Sequence, residues 1–457
     1  MIRRDIEWRS PLDAFAPLVG EPYAGLLQAG QAARDPGWAI LVAFPETVLT
    51  AREGAAFLNG ARLKEAPFAA LKNLAAARRY ADVAGADAPF STGLVGFIGY
   101  EMGGALEPAG AGPASPFALP DMVFGAYDAA ALFDGKNRHA FILARTQSAA
   151  ARVDEALGSA AVGAPELLSR VGGAASNFDA GAYRQAVAGV IERIRNGALF
   201  QANLAQQLTV EGAVSPYGVF RRLMQGDAAF GAYLQYSEAA IVSNSPERFF
   251  SLTPQEGVMR LLAEPIKGTR PRGEDKTDDA RLAAELLADI KERAENLMIA
   301  DLTRNDLSRV CRDGSIREEA ICELLTLASV HHLVSRISGS LRPDLGAVDA
   351  FEALFPCGSV TGAPKIEAMK TIAEVEKIGR GPYCGAIGYI DDRGGADFSV
   401  AIRTMIVEGA RATFPVGGGV TLRSDPQAEY LETWVKARAM LGALGVDGDG
   451  VAQAGAA

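Results

Sequence analysis

The sequence has few cysteines, and they lie far apart. Cys311, Cys322, Cys357 and Cys384 are the only four in the chain, and they show no close pair and no metal-type spacing. The sequence therefore predicts neither a disulfide framework nor a zinc site. Buried or free thiols are typical of a reducing compartment, so we expect a cytoplasmic protein.

Long apolar runs and excess positive charge are also missing. The first residues, MIRRDIEWRSPL, contain no apolar signal core, and no run is long enough to span a membrane. The formal net charge of −10 argues against nucleic acid or an anionic membrane as the main partner. We therefore expect a soluble protein in which any positive charge that meets an anionic substrate is local.

The composition predicts a folded chain with several regions. Hydrophobic residues make up 49% of the 457 residues and charged residues 22%, which is enough to bury a sizeable core. The length suggests two or three domains, or one large one. We divide the chain into a strand-rich region (1–145), an Ala/Gly-rich linker with one helix (146–176), a larger region (177–444) and a flexible tail (445–457).

Strand patterns dominate the first region. Asn59-Gly60 is typical of a hairpin turn and predicts that residues 48–50 pair with residues 57–63. Asp134-Gly135 predicts a second hairpin, between 123–133 and 138–144. The other expected elements before residue 177 are strands over 38–44 and 93–102 and a helix over 148–157.

The larger region alternates helices and strands. Asp425 suits an N-cap and Pro426 the first position of a helix near the end of the chain. Two more helices are expected, over 178–194 and 364–375. The expected strands are 198–210, 239–250, 258–262, 384–390, 397–407 and 412–422.

Residues 264–310 combine a loop pattern with a helix pattern. Gly and Pro residues near Lys267 indicate a loop, and residues 274–279 a charged turn. Residues 274–313 contain neither Gly nor Pro, so the run over 280–310 predicts one long helix. Apolar positions at helical spacing predict the core face of that helix, and these are Leu282, Leu286, Ile290, Ala294 and Leu297.

Two Glu-x-x-Glu pairs lie on separate predicted helices. Glu292 and Glu295 form the first pair, Glu429 and Glu432 the second, and Lys436 shares the face of the second pair. Taken alone, each pair is typical of a solvated helix face. If the two helices face each other, the carboxylates would supply oxygen ligands to Mg²⁺, which leaves positions for an anionic substrate.

Lys267, Glu247 and Arg403 are candidates for chemistry. Lys267 is either a surface charge or a desolvated nucleophile. Glu247, after Ser-Pro at a strand end, is either a general acid or a strand-edge charge. Arg403 lies in the middle of an apolar strand pattern, where a charge is costly unless it is paired, which favours an anionic partner.

Two other motifs have a structural and a functional interpretation. Gly417-Gly418-Gly419 would let backbone N–H groups approach an anion, or form a bulge. His331 and His332 lie in an apolar run, where a core histidine with satisfied hydrogen bonds is the default.

Six sequence blocks together resemble the chorismate-utilising enzymes, which include component I of anthranilate synthase and of aminodeoxychorismate synthase as well as the isochorismate and salicylate synthases. They run in order over about residues 180–440, and GLVGFIGYEM further resembles the N-terminal region of the family. The blocks are SPERF, PIKGTRPRG, KERAENLMIADLTRNDLSRV, FPCGSVTGAPK, RGPYCGAIGYID and GGGVTLRSDPQAEYLETWVKA.

The resemblance implies a metal site. Glu295 and Glu432 would bind Mg²⁺ directly, with Glu292 and Glu429 as outer partners. The ion would hold the ring carboxylate of chorismate. The positions that contact this carboxylate are matched here by Gly268, Thr269, Gly417, Gly419 and Lys436.

The resemblance also implies roles around the rest of the substrate. Tyr383 and Arg403 match the positions that hold the enolpyruvyl carboxylate. Glu247 matches the general acid that assists loss of the C4 hydroxyl. Lys267 would act as the nucleophile at ring carbon C2.

Three positions favour one branch of the family. Anthranilate synthases typically have alanine at the position of Lys267, and isochorismate and salicylate synthases have a water-activating lysine at the position of Gln201. Asn296 is similar to the aminodeoxychorismate branch, whereas His332 matches a histidine that anthranilate synthases place near the ring. The tryptophan-sensing Leu-Leu-Glu-Ser of anthranilate synthases is not evident, the nearest match being residues 26–29.

The resemblance therefore implies amination of chorismate at C4 for 4-aminobenzoate and folate synthesis, as in aminodeoxychorismate synthase component I. Ammonia would come from glutamine through a separate amidotransferase subunit. The alternatives are anthranilate synthase component I and a catalytically silent chorismate- or tryptophan-binding subunit. The implied fold is mixed α/β, with two face-packed, largely antiparallel sheets and outer helices, in which 1–145 is the N-terminal region and 177–444 the chorismate-binding catalytic domain.

Overall fold

The computed structural model describes residues 1–29, 37–80, 88–159, 173–212, 214–226, 229–327 and 330–446. The strands in these ranges form two twelve-stranded sheets with antiparallel pairing. The strands are β1 (Ile2–Ile6), β2 (Gly25–Ala29), β3 (Trp38–Val42), β4 (Thr47–Arg52), β5 (Ala55–Leu58), β6 (Ala61–Arg62), β7 (Gly93–Ile98), β8 (Met122–Tyr127), β9 (Ala129–Asp134), β10 (His139–Ala144), β11 (Ala175–Ser176), β12 (Gln201–Glu211), β13 (Phe230–Gln235), β14 (Ala240–Ser245), β15 (Arg248–Gln255), β16 (Val258–Ala263), β17 (Ile266–Pro271), β18 (Arg317–Thr326), β19 (Val330–Ser340), β20 (Gly362–Ala363), β21 (Ala386–Asp391), β22 (Ala396–Val400), β23 (Thr404–Glu408) and β24 (Arg411–Thr421).

Helices connect these strands and cover the outer faces of the sheets. They are α1 (Pro11–Phe15), α2 (Pro67–Arg78), α3 (Met102–Leu106), α4 (Gln147–Gly158), α5 (Ala180–Arg195), α6 (Pro216–Leu223), α7 (Lys276–Ala288), α8 (Ile290–Ser308), α9 (Ala347–Leu354), α10 (Lys365–Glu376) and α11 (Pro426–Leu444), with short 3₁₀ turns at Ala16–Leu18, Pro108–Gly110 and Gly358–Val360.

Both sheets draw strands from the two ends of the chain. The first sheet has the order β1-β10-β9-β3-β2-β13-β14-β23-β24-β12-β11, with β20 beside β12. The second has the order β17-β19-β16-β15-β22-β21-β7-β8-β4-β5-β6, with β18 beside β19. Strands from 1–145 and 177–444 therefore interleave in both sheets, and the division into these regions stays a prediction. Residues 160–172 of the expected linker and residues 447–457 of the expected tail lie outside the described residues.

The core has three apolar layers. Between the sheets, Phe97 of β7 and Leu132 of β9 belong to one fully buried cluster. A second cluster packs α4, α5, α6 and α11 against the outer face of the first sheet. A third packs α2, α8 and α9 against the second sheet. This arrangement confirms the expected mixed α/β fold with two face-packed sheets and outer helices.

Three segments expected to be single strands are each divided between the two sheets. Residues 123–133 form β8 in the second sheet and β9 in the first, 239–250 form β14 and β15, and 397–407 form β22 and β23. The continuous-strand expectation was wrong because both faces of each sheet are covered. An apolar run then continues through the point where the chain crosses from one sheet to the other.

The hairpin expected at Asn59-Gly60 is displaced. These residues connect β5 to β6, whereas β4 pairs with β5 through a turn at Glu53-Gly54. Glu53 and Asn59 both have left-handed backbone angles, with φ of 51° and 48°, so each turn has the geometry that a tight hairpin requires. The sequence signal identified one of two consecutive turns.

The long helix expected over 280–310 is two helices with a break at Asp289, and the first of them begins within the expected charged turn, at Lys276. The Asp289 carboxylate accepts hydrogen bonds from the backbone N–H groups of Lys291 (2.9 Å) and Glu292 (3.2 Å), which starts α8 as an N-cap. The expected apolar stripe was wrong as well. Because the chain breaks at Asp289, positions at helical spacing on α7 and α8 do not lie on one continuous face. Leu286 is fully buried, but Ile290 and Leu297 are 76% and 46% exposed.

Removing this cap should destabilise the protein measurably. We expect Asp289→Ala to lower the free energy of unfolding by about 1 kcal/mol, the usual cost of losing an N-cap, as measured by urea denaturation. Asp289→Asn keeps a capping oxygen but weakens the 2.7 Å ion pair with Arg270, so it should retain most of the stability. Equal losses in the two variants would contradict a capping role.

Candidate active site

Lys267 lies on a strand rather than in the expected loop. In β17 it pairs with Leu333 of β19, and a register shift before Thr269 leaves Gly268 as the extra residue, with a φ of 74°. Such a bulge needs a left-handed residue, and glycine adopts this conformation most readily. The Lys267 ammonium donates a 2.7 Å hydrogen bond to the Ser359 carbonyl. Gly and Pro residues therefore marked a bulged edge strand, not a loop.

Glu247 lies where the chain crosses from β14 to β15, and it is 3% exposed. The backbone N–H of Ile266 lies 3.4 Å from its Oε1 atom. Burial raises the pKa of this carboxyl, although the Ser359 hydroxyl and the Lys267 ammonium act in the opposite direction. A buried carboxyl with a raised pKa retains its proton more readily, as a general acid must.

The two Glu-x-x-Glu pairs face the same space from α8 and α11. Burial raises the pKa of Glu292, Glu295 and Glu429. A glutamate on α11 raises the pKa of Glu292 and Glu295 further, whereas Lys291 of α8 acts on Glu429 in the opposite direction. Partial burial also acts against the charge of Glu432, but Lys436, Lys291 and Lys267 together outweigh it and lower the pKa. Each pair alone was expected to be a solvated helix face. Glu292, Glu295 and Glu429 are instead buried or half-buried, and only Glu432 of the four is exposed.

These carboxylates fit Mg²⁺ in chemistry. They offer only oxygen donors, which Mg²⁺ prefers, and the Glu295 Oε1 atom is buried without a hydrogen-bond partner among the described residues. No three Asp, Glu, His or Cys side chains in the described ranges lie close enough to hold an ion as they stand. Glu432 instead forms a 2.7 Å ion pair with Lys436, so a bound ion would compete with this lysine.

The three consecutive glycines lie on β24, between α11 and β12. A Cβ atom on Gly418 would lie 3.1 Å from Glu429 Oε2, and one on Gly417 would lie 2.4 Å from the Leu204 carbonyl. Side chains are therefore excluded at this part of the strand. The Lys436 ammonium donates to the Gly417 carbonyl at 2.9 Å, so this carbonyl and Glu432 hold the lysine at the same edge.

Gln201 and Lys267 meet at the end of this glycine strand. A Cβ atom on Gly419 would lie 2.2 Å from Gln201 Nε2 and 3.7 Å from Lys267 Nζ. Gln201 is fully buried, and neither polar atom of its amide has a hydrogen-bond partner among the described residues. An unpaired buried amide costs about 1–3 kcal/mol. The Gln201 amide can therefore still donate and accept hydrogen bonds to a molecule that enters the pocket.

Thr269 and His332 form the next wall. His332 Nδ1 lies 2.9 Å from the Gly268 carbonyl and 3.0 Å from the Thr269 hydroxyl. The carbonyl can only accept, which places the proton on Nδ1 and leaves Nε2, which has no partner among the described residues, as an acceptor. Burial lowers the pKa of His332 to about 4, with the Gly268 hydrogen bond opposing and the Arg403 charge adding to the effect.

The two adjacent histidines therefore differ. The ring of His331 is satisfied on both sides, by Asp279 at 2.8 Å and Thr326 at 3.0 Å, as expected of a core histidine. His332 Nε2 has no hydrogen-bond partner among the described residues, so the expectation of a core histidine with satisfied hydrogen bonds does not describe His332 completely.

Arg403 does not lie in the middle of a strand. It occupies the turn between β22 and β23, with a φ of 48°, because the apolar run crosses there from one sheet to the other. At this corner the guanidinium is half-buried and near enough to His332 to affect the pKa of the ring. Tyr383 is 3% exposed, in the segment before β21.

Arg380 is a structural centre of the site that the sequence reasoning missed. Its guanidinium is 2% exposed, pairs with Glu376 at 2.5 Å and donates to the carbonyls of Asn203 (2.6 Å) and Val360 (3.2 Å). It thereby links the strand that carries Gln201 to the turn that contains Ser359. Its position in the RGPYCGAIGYID block was the only available signal, and no spacing pattern indicated a buried arginine.

Comparison with known proteins defines the class. Residues 26–442 match the family described as chorismate binding enzyme, and the chain belongs to this family. Component 1 of aminodeoxychorismate synthase from Salmonella typhimurium is 35% identical over 433 residues, which cover 93% of this chain and 94% of that protein. Component 1 of anthranilate synthase from Thermus thermophilus is 33% identical over 449 residues, 95% of each chain.

A solved structure agrees with this assignment. Anthranilate synthase component I from Streptococcus pneumoniae superposes with a TM-score of 0.79 and 31% identity, over 88% of this chain and 92% of that one. The chain is therefore a chorismate-utilising enzyme of the aminodeoxychorismate or anthranilate synthase component 1 type, and these identities do not separate the two. None of the described helices is both long and apolar enough to cross a bilayer.

Proposed function

We propose that this chain is the chorismate-aminating component of an aminodeoxychorismate synthase, which replaces the C4 hydroxyl of chorismate by an amino group. The observation that carries the proposal is the position of Lys267. Its ammonium group is held by the Ser359 carbonyl at 2.7 Å, next to the unpaired amide of Gln201 and close enough to Glu247 to affect its pKa. A primary amine and a carboxylic acid at one pocket support covalent displacement.

The proposed reaction has two displacements. Neutral Lys267 adds to C2 of chorismate and gives up a proton, both ring double bonds shift, and the C4 hydroxyl takes a proton from Glu247 and leaves as water. Ammonia then adds at C4 and gives up a proton, both double bonds shift back, and the lysine amine leaves from C2. The sum is chorismate plus ammonia giving aminodeoxychorismate plus water, so no oxidant is needed.

Other residues of the chain would bind the two carboxylates of the substrate. Gly268, Thr269, Gly417, Gly419 and Lys436 are the proposed contacts of the ring carboxylate, and Tyr383 and Arg403 those of the enolpyruvyl carboxylate. Glu295 and Glu432 would hold Mg²⁺ directly and Glu292 and Glu429 would support them. When bound, the ion supplies positive charge for the ring carboxylate.

Ammonia is the proposed co-substrate, delivered from glutamine by a separate amidotransferase subunit. None of the four cysteines lies in a Gly-x-Cys-x-Gly context that would indicate a glutaminase nucleophile. We therefore expect the purified chain to use ammonium salts and to ignore glutamine. Glutamine-dependent amination by this chain without a second subunit would contradict the proposal.

The identity of the product tests the function. Incubation with chorismate, Mg²⁺ and ammonium chloride should give aminodeoxychorismate, identified by chromatography and mass spectrometry. Anthranilate as the product would instead make the chain an anthranilate synthase component, for which the unpaired Nε2 of His332 beside the pocket is the supporting observation. Tight chorismate binding with no product would indicate a catalytically silent subunit.

A further inference from the structure

A small cavity lies behind the site, between the GYEM segment and the end of α10. Its volume accessible to a water molecule is about 30 Å³, above the roughly 10–15 Å³ that one water molecule needs by this measure. Tyr100, Glu101 and Arg380 form its polar wall, and Met369 and Ile372 of α10 belong to its apolar wall. The cavity therefore has room for one molecule of about the size of water.

Glu101 uses one carboxylate oxygen and leaves the other unused. Its Oε1 atom accepts hydrogen bonds from the backbone N–H groups of Arg380 (2.6 Å) and Gly381 (3.0 Å). Its Oε2 atom is buried and has no partner among the described residues. Burial raises the pKa of this carboxyl to about 7 despite the two N–H groups, which is the effect expected of a negative charge that no cation compensates.

Other unpaired polar groups occur on the elements between this cavity and β12. The hydroxyls of Tyr100 and Thr361 face each other, and neither forms a hydrogen bond of normal geometry in the described ranges. The Thr361 carbonyl accepts the N–H of Asn203 at 2.9 Å, two residues from Gln201 on the same strand face. The Gln201 amide is unpaired as well and lies beside Lys267.

These groups share one requirement. Each unpaired buried polar atom costs about 1–3 kcal/mol unless something satisfies it, and Glu101 Oε2 has no hydrogen-bond partner of normal geometry within the described residues. A molecule that satisfies this atom inside the cavity must be of about the size of water and able to hydrogen-bond. Water and ammonia both meet this condition, but ammonium also compensates the charge of Glu101.

We propose that the cavity beside Glu101 binds ammonium, the nitrogen source that the proposed amination consumes. This inference rests on the proposed amination. It assigns Glu101 to the binding of the nitrogen source, whereas the residues around Lys267 bind chorismate.

The simpler alternative is that Glu101 only positions the Arg380–Gly381 turn. Glu101→Gln separates the two, because an amide oxygen can still accept both backbone N–H groups but carries no charge for ammonium. Steady-state rates of the full chain would be measured at fixed pH while ammonium chloride and chorismate are varied independently. We expect the ammonium KM to rise about fivefold or more, the equivalent of about 1 kcal/mol, while the chorismate KM stays unchanged.

A second variant tests the space rather than the charge. Ala373 of α10 lines the cavity, and Ala373→Leu should fill it and raise the ammonium KM with Glu101 intact. Glu107→Gln is the matched control, since it removes a carboxylate from the same segment outside the cavity lining and should behave as the unchanged protein does.

The outcomes are distinct from those that test the function. If neither Glu101→Gln nor Ala373→Leu changes the ammonium KM, the cavity holds structural water only and the proposal is wrong. If the chorismate KM rises with the ammonium KM, Glu101 is a positioning residue and the proposal is also wrong. If the unchanged protein makes anthranilate, the proposed function fails, but the ammonium comparison still applies because that reaction also consumes ammonia.

Discussion

Replacing Lys267 by alanine is expected to lower kcat by about a thousandfold or more, the scale seen when an enzyme loses its nucleophile. The protein should stay folded, because the Lys267 side chain makes one hydrogen bond, to the Ser359 carbonyl. Circular dichroism and the thermal midpoint would check the fold, and the product assay would check turnover. Lys370→Ala, an exposed lysine on α10 paired with Glu367, is the control and should keep full activity.

Covalent and electrostatic roles of Lys267 differ when ammonia is withheld. If the lysine adds to C2, chorismate and Mg²⁺ without ammonia should give an adduct on Lys267, detectable by mass spectrometry after trapping. Lys267→Arg keeps a positive charge but cannot act as a nucleophile at neutral pH, so it should show no adduct and no recovery of kcat. An active Lys267→Arg enzyme would leave only charge neutralisation of the substrate.

Loss of either direct carboxylate of the proposed metal pair should strongly reduce Mg²⁺-dependent turnover. We expect Glu295→Gln and Glu432→Gln each to reduce kcat/KM by about a hundredfold or more, because one missing ligand leaves an incomplete site for the substrate carboxylate. Mg²⁺ should raise the thermal midpoint of the unchanged protein through binding to the folded state and have little effect on either variant. This second measurement does not depend on activity.

The control for these variants is on the same helix. Asp301 on the outer side of α8 has a 70% exposed side chain paired with Arg304, so Asp301→Asn should retain both turnover and the response to Mg²⁺. Full activity of the unchanged protein in excess chelator would contradict the metal site. A Mg²⁺ response that survives in both glutamine variants would place the ion elsewhere.

Local signals in the sequence predicted several elements correctly. The Asp425 carboxylate accepts the N–H of Ala428 at 2.8 Å and starts α11, as the Asp-Pro pair indicated. The spacing of Glu429, Glu432 and Lys436 also placed these side chains on one face of that helix, next to Gly418. Capping and helical periodicity depend on residues within one or two turns, so the sequence alone can specify them.

The sequence could not indicate where the chain passes from one sheet to the other. Two of these crossings carry candidate site residues, Glu247 between β14 and β15 and Arg403 between β22 and β23. An apolar pattern reports burial, and burial continues through a crossing when both sheets are covered. The break at Asp289 was hidden for a related reason, because an aspartate inside a helical pattern serves equally well as a surface residue or as a cap.

Buried polar groups were the least predictable part of the site. Arg380 and Glu376 pair inside the core, and the unpaired atoms of Glu101, Thr361 and Gln201 are brought together by segments far apart in the chain. No spacing rule connects such residues, since the contact is created by the sheets themselves. The resemblance to a family supplied Gln201, but only the structure shows that its amide lacks a partner.

The interleaving of strands also determines when the site can exist during synthesis. β2 pairs with β13 and β7 with β21. These early strands cannot form their native pairs until partners more than a hundred residues later in the chain have been synthesised. β24 contains the three consecutive glycines and α11 contains the second glutamate pair. These two are the last of the described elements to be synthesised. Contacts of such long sequence separation form slowly. A chain released before α11 is made would contain the first glutamate pair but not the second, so its carboxylate site would be incomplete.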